Sequence, residues 1–544
     1  MSDVAWWREG VIYQVYPRSF QDTNGDGVGD LEGISQRLDH LVALGIDAVW
    51  ISPIFRSPMR DFGYDVSDYR GIDPLFGSLA DFDALLKSAH ARGLKIILDF
   101  IPNHTSDQHP WFRESRSAKN NPKRDWYVWR DAKPDGSPPN NWESEFGGPA
   151  WTFDDLTGQY YYHAYLKEQP DLNWRRPDVE RAMCDVLRFW FDRGVDGFRV
   201  DAIHHLHEDE QYRDNPLNPD WRLGMAPYKR WLPIRTIDQP AVHASIKAMR
   251  DVADAYPDRV MIGEAYLPLD RLMAYYGVDL TGFQLPFNFH LISTDWRPKP
   301  VASLIEAYEA ALPAGGWPNW VLGNHDRSRV ASRVGPVQAR VAAMLLLTLR
   351  GTPTIYQGEE IGMQDVPIPF ERAQDPWERN VPGLGLGRDP VRTPMPWTSE
   401  ANGGFTQGRP WLPLNVDADV RNVAAQASDP QSMLSLYRRL LRLRRESDVL
   451  LFGDIRILAA TEHILAYERR FEGQRVVVML NMSGQPHTLR SENPNHEVLL
   501  STYLDDPNVS DPYEIRLRAD EGLLLRAGDG VIADPARAAQ PAAE

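Results

Sequence analysis

The chain has 544 residues, of which 42% are hydrophobic and 25% charged. This is globular composition in a chain long enough to bury its own cores, which excludes wholesale disorder and any need for disulfide staples. The net charge of −17 argues against a nucleic-acid or anionic-membrane partner and suits a neutral substrate.

Cys184 is the only cysteine, so no intrachain disulfide can form and a cytoplasmic location is expected. The first residues carry no basic segment followed by an apolar run, so no signal peptide is expected. The longest apolar stretch, near 342–349, is too short to span a bilayer. The 18 Trp and 21 Tyr suit stacking on sugar rings, with ordinary core packing as the competing reading.

Apolar runs alternate with amphipathic helices along most of the chain. Strands are expected at 10–16, 47–51, 95–100, 197–201, 260–264, 282–287, 320–323 and 352–356. Helices are expected at 33–44, 78–92, 179–193, 241–255, 270–276, 301–312, 337–349 and 431–445, with Gly93 and Gly194 as C-terminal stops. Between Asn103 and Asp171 the pattern breaks into a loop-rich insert, and a shorter polar insert runs to Asp238. Eight βα units predict a closed (β/α)8 TIM barrel. An open doubly wound sheet competes poorly, because no GxGxxG follows the first strand. From Asp448 the pattern becomes short strands at 455–458, 464–469, 475–481, 497–501 and 523–526, which predicts a separate antiparallel β domain. The Ala/Pro-rich segment 532–544 is expected to fray.

Barrel chemistry sits at the C-terminal ends of the strands. There the sequence places Asp99 to His104, Arg199 and Asp201, Glu264, and Asn324-His325-Asp326-Arg327. Three carboxylates, Asp201, Glu264 and Asp326, thus point at one mouth. Like charges clustered in a cleft cost stability, so their convergence favours a functional role over surface ion pairs. Paired carboxylates suit glycoside hydrolysis: one attacks the anomeric carbon, and the other protonates the leaving oxygen and then activates water. Arg199 lies two residues before Asp201, on the same strand face, and can keep it ionised. A divalent-metal hydrolase using these acids with His104 and His325 is the rival. It lacks an HxH or HExxH pair on the strands.

Asp99-Phe-Ile-Pro-Asn-His104, Gly197-Phe-Arg-Val-Asp201, Gly263-Glu264 and Asn324-His-Asp326 resemble, in order, the four signature regions of the α-amylase family of glycoside hydrolases. Gln169-Pro-Asp-Leu-Asn173 resembles a further motif of its oligo-1,6-glucosidase/α-glucosidase branch. The resemblance implies a retaining mechanism with Asp201 as nucleophile, Glu264 as general acid/base and Asp326 as the third carboxylate that grips the sugar. It implies that His104 and His325 bind the sugar, that Tyr64 stacks on it, and that Asp61 pairs with Arg392 to close an exo-acting pocket. It also implies barrel segments at 1–103 and 172–447, a domain B at 104–171 and a domain C at 448–544.

Ala202, the small residue after Asp201, resembles the α-1,4-preferring members. Phe146 and Tyr165 are expected as aromatic walls. These expectations describe an α-glucosidase acting on maltose-like α-1,4 substrates. An α-glucosyltransferase, a sucrose isomerase and an oligo-1,6-glucosidase use the same intermediate and remain open. A non-catalytic, transporter-associated relative is disfavoured by the intact carboxylate set. Finally, Asp22, Asn24, Asp26, Val28 and Asp30 alternate oxygen donors with glycines, without the twelfth-position Glu of an EF-hand. Branch members carry a structural Ca²⁺ or Mg²⁺ in this loop.

Overall fold

The computed structural model describes residues 4–491, 494–505 and 513–528. The segment 532–544 lies outside them. Eight parallel strands form one sheet: β1 (Ile12–Val15), β2 (Ala48–Ile51), β3 (Lys95–Phe100), β4 (Gly197–Val200), β5 (Val260–Gly263), β6 (Leu285–Pro286), β7 (Asn319–Val321) and β8 (Thr352–Tyr356). Their spatial order is β6-β5-β4-β3-β2-β1-β8-β7, which is the circular order of a TIM barrel. Among the described residues no ladder joins β6 to β7. Strand six is shorter than expected at two residues, and one of them, Pro286, has no N–H to donate.

The helices between strands follow the expected apolar spacing. Leu31–Leu44 and Pro177–Arg193 both end on a glycine in the left-handed region, Gly45 and Gly194, where a Cβ would be strained. Their buried faces cover the barrel: Ile34, Leu38 and Leu41 on the first, and Met183, Val186, Leu187 and Trp190 on the second.

The insert after β3 is more ordered than its polar composition suggests. It contains the helix Pro110–Ser117 and a three-stranded antiparallel sheet of Trp129–Arg130, Gln159–Tyr162 and Trp151–Asp154. Its core is aromatic: Trp142, Trp151 and Tyr162 pack together with Val128, Ala150 and Ala164. Part of the aromatic surplus is therefore core packing of this insert.

The chain ends in a five-stranded antiparallel sheet, in the order Asp454–Ala460, Ile464–Phe471, Gln474–Asn481, Gly522–Ala527 and His496–Ser501. A second antiparallel pair, His487–Arg490 with Glu514–Leu517, was not legible in the sequence. Two buried arginines converge where this sheet meets the barrel, Arg444 from the barrel's last helix and Arg469 from the sheet itself. Arg444 donates to the carbonyls of Leu347 and Leu349 at 3.2 Å, and to that of Gly351. Arg469 donates to Thr348 O at 2.6 Å and to Gly453 O at 2.8 and 3.0 Å. Both cap the carboxyl end of helix Gln338–Thr348, where cations are favoured. Among the described residues no helix is long and apolar enough to cross a membrane.

Replacing Arg469 with Met leaves these carbonyls buried without donors, at about 1–3 kcal/mol for each orphaned group. We expect Arg469→Met to lower the thermal melting temperature while leaving the barrel's circular-dichroism signature intact. An unchanged melting temperature would show that the contact does not hold the two parts together.

Candidate active site

The register of the barrel places the acids. Asp99 on β3 stands opposite Arg199 on β4, and Arg199 stands opposite Ile262 on β5. Just past the strand ends, the amide of Asp201 donates to Phe100 O at 2.8 Å and that of Glu264 to Val200 O at 2.9 Å. The ladder thus continues one residue further and fixes both backbones.

Arg199 is 1% exposed and its guanidinium is the hub. Its Nη1 donates to Asp99 Oδ1 at 2.6 Å and to Asp201 Oδ1 at 2.7 Å, while Nη2 reaches Glu264 Oε1 at 2.8 Å. The amide of Ala202, in the left-handed region at φ +46°, donates to Glu264 Oε2 at 3.0 Å. Arg199 therefore serves both Asp201 and Glu264, rather than Asp201 alone. Burial pushes the Asp201 carboxyl well up, against the pull of Arg199 and with the repulsion of Glu264, Asp99 and Asp326. Burial likewise holds Asp99 up at about 6 despite Arg199. Among the influences on Asp201, the ion pair with Arg199 is the one that favours its ionised form.

A second network forms around Asp326. Arg392 Nη2 lies 2.7 Å and Arg388 Nη1 3.4 Å from its Oδ1, and His325 Nε2 lies 3.2 Å from Oδ2. Burial opposes ionisation here, but His325, Arg388 and Arg392 overcome it and hold the carboxyl below its ordinary range. Asp326 is thus the firmly ionised acid of the set.

The sequence pairs Asp61 with Arg392, but the structure pairs it with Arg388, at 2.7 Å. Arg392 instead turns toward Asp326 and donates from Nε to His325 O at 2.8 Å. The two arginines lie four residues apart across the short turn Asp389–Val391, so one faces Asp61 and the other the β7 end. Asp375, also absent from the sequence reading, holds Arg388 from the far side at 2.7 Å.

Asp61, Tyr64, His104, Phe146, Tyr165, Asp201, Glu264 and Asp326 line one cavity at the barrel mouth. Arg199, His325 and Arg392 stand behind its wall, each bonded to a carboxylate that lines it. Tyr64 is parallel to the His325 ring, with centroids 5.5 Å apart, and its hydroxyl lies 2.7 Å from Nε2. His104 Nε2 faces Tyr64 O at 3.1 Å. Burial holds the His104 ring down to about 4, so it is neutral at pH 7. Phe146 packs edge-on against Tyr165 at 5.6 Å and lies beneath the Arg388 guanidinium at 4.9 Å. The cavity also takes in Glu145, Tyr228 and Trp377, which carried no sequence signal because they lie in a loop and in helical segments of four and five residues, too short to show a period.

The loop after β1 curls through successive side-chain-to-amide bonds. Asp22 Oδ1 accepts from the amides of Asn24 and Gly25 at 2.9 Å, Asn24 Oδ1 from Asp26 at 2.9 Å and Asp26 Oδ1 from Val28 at 2.8 Å. Asp30 caps helix Leu31–Leu44 through Gly33 N at 2.7 Å. The donor set is all oxygen, which fits a hard divalent cation. Among the described residues no three acidic, His or Cys side chains converge as an ion site. An ion here would therefore need the Asn24 amide and the Val28 carbonyl as well as the acids.

Residues 14–453 match the model of the α-amylase catalytic domain. The chain is 44% identical over 502 residues to a probable α-glucosidase of Rhizobium meliloti, covering 89% of this chain and 91% of the relative. It is 40% identical over 552 residues to an oligo-1,6-glucosidase of Heyndrickxia coagulans, covering 94% and 98%. Among solved structures, an α-glucosyl transfer enzyme, XgtA, superposes with a TM-score of 0.92 at 42% identity, covering 96% of this chain and 100% of the other.

His104 gives this site a pH signature. Its folded value lies below the ordinary 6.5, so the stability it contributes is present above 6.5 and is lost as pH falls toward about 4. The full loss is about 3 kcal/mol. We expect His104→Gln, which cannot titrate, to narrow the gap in melting temperature to the parent between pH 7 and pH 4.5. A gap that is constant across that range would contradict a neutral, buried His104.

Proposed function

Because the chain belongs to the α-amylase family of glycoside hydrolases, we propose that it is an exo-acting, retaining α-glucosidase that releases α-glucose from short α-glucosides. The observation that carries this reading is the shared guanidinium: Arg199 bonds both Asp201 and Glu264, which binds the attacking and proton-transferring acids to one rigid group. Glu264 protonates the glycosidic oxygen while Asp201 attacks the anomeric carbon and forms a β-glucosyl ester. The same Glu264 carboxylate then takes a proton from water, which releases the sugar with its configuration retained. Asp326, ionised beside Arg388 and Arg392, holds sugar hydroxyls and faces the positive charge that develops at the anomeric carbon.

Support for exo action comes from the buried Asp61–Arg388 pair, which lines the cavity and can pin the terminal sugar. The preferred linkage is α-1,4, as in maltose; the support is the small Ala202 beside Glu264, which leaves room on the leaving-group side. A second reading, glucosyl transfer to a sugar hydroxyl through the same ester, is favoured by the likeness to the α-glucosyl transfer enzyme.

Two experiments test this. Asp201→Asn should lower turnover by about four orders of magnitude or more with the fold intact, since no ester can form. Time-resolved product analysis on maltose, isomaltose, sucrose and trehalose should show α-glucose appearing first from maltose. Full activity of Asp201→Asn, or β-glucose as first product, would end the retaining assignment; accumulating new glucosides would favour transfer.

We further propose that Asp22, Asn24, Asp26, Val28 and Asp30 hold a structural Ca²⁺ or Mg²⁺ that takes no part in bond cleavage. Chelation should then lower the melting temperature, with recovery on adding the ion, and leave turnover at 25 °C unchanged. No shift in melting temperature would contradict a resident ion.

A further inference from the structure

One carboxylate of the cavity has no part in the reaction described above. Five carboxylates line the cavity: Asp61, Glu145, Asp201, Glu264 and Asp326. Four of them are bonded to an arginine. Among the described residues, the Glu145 carboxylate has neither an ion pair nor a side-chain hydrogen bond. Arg327 and Lys229 are the charges that act on it, and they oppose the effect of its removal from water, which raises it to about 7.

The backbone around Glu145 is tightly held. Its amide donates to Ala164 O at 2.9 Å, and the Ser144 hydroxyl donates to Tyr165 O at 2.6 Å. On the other side, the Trp231 indole, in the insert that follows Asp201, donates to Glu143 Oε1 at 3.1 Å. The insert after β3 and the insert after β4 thus grip this loop between them. Glu145 is partly exposed and its neighbour Lys229 exposed, whereas Asp61 is 3% exposed. Glu145 therefore stands at the open end of the cavity, where the leaving group must lie if Asp61 and Arg388 hold the terminal glucose. A carboxylate that faces the cavity without a protein donor leaves its oxygens free to accept from a ligand hydroxyl.

We propose that Glu145 is a specificity-determining residue for the leaving group: its carboxylate accepts hydrogen bonds from hydroxyls of the departing sugar and so favours polyhydroxylated leaving groups over aryl ones. The inference rests on the glucosidase reading. A site built to bond a hydroxyl discriminates strongly against an analogue that lacks it, because the site's own polar group is then left unpaired.

The test is a ratio: kcat/KM for the disaccharide that the wild type cleaves fastest, divided by kcat/KM for p-nitrophenyl α-glucoside. Glu145→Gln, which keeps the shape and removes the charge, should lower this ratio about tenfold or more, chiefly through KM for the disaccharide. Glu145→Asp, which keeps the charge, should restore part of it, which a merely structural lesion would not do. A ratio that is unchanged or raised in Glu145→Gln overturns the inference and leaves the glucosidase reading standing. A wild type that cleaves neither substrate class overturns both.

Discussion

The site depends on one buried cation. Arg199 is surrounded by Asp99, Asp201 and Glu264, and removing any such group from water is costly unless it is paired. A guanidinium can meet this demand because its planar fork presents several donors in fixed directions, which a lysine ammonium cannot. The barrel supplies the geometry: adjacent parallel strands hold Asp99 and Arg199 in register, and Asp201 and Glu264 follow just past the strand ends. Charge and register together leave the acids little freedom to move apart, and this is what a reaction with an attacking and a protonating carboxylate requires.

A second cluster divides the labour. Asp326 and Asp61 face Arg388 and Arg392, an arrangement that keeps Asp326 ionised and suits both acids to bonding sugar hydroxyls. Around Arg199 burial holds Asp99 and Asp201 up against the pull of the guanidinium; at Asp326 the pull of Arg388 and Arg392 prevails over burial. The two electrostatic environments lie side by side in one cavity, one suited to proton transfer and the other to gripping hydroxyls and offsetting positive charge. The insert after β3 contributes the wall, because Phe146 and Tyr165 are set by an aromatic core that folds that insert into a sheet of its own.

Much of this was legible in the sequence. The eight βα units show as alternating apolar runs and amphipathic spacings, and the strand-end rule then placed Arg199, Asp201, Glu264 and Asp326 at one mouth without coordinates. What stayed hidden was set by long-range packing. The partner of Asp61 is Arg388, not Arg392, because the turn between the two arginines decides which one faces the cavity, and no periodicity encodes that. Glu145 enters the cavity from a loop, and Tyr228 and Trp377 from helical segments too short to show a period. The pair His487–Arg490 and Glu514–Leu517 was missed because its strands are short and far apart in the chain. The insert after β3 read as loop because its core is built from Trp and Tyr spread among polar residues, and not from a periodic apolar face.

The role of the shared guanidinium is tested most directly by the kinetics of Arg199→Lys. This variant keeps the positive charge and loses the fork that reaches Asp201 and Glu264 together. The account predicts a fall in kcat of about a hundredfold or more on every cleaved substrate, with the fold retained. A variant within about twofold of the wild type would show that the two acids hold their places without the guanidinium, and the account built on it would fail.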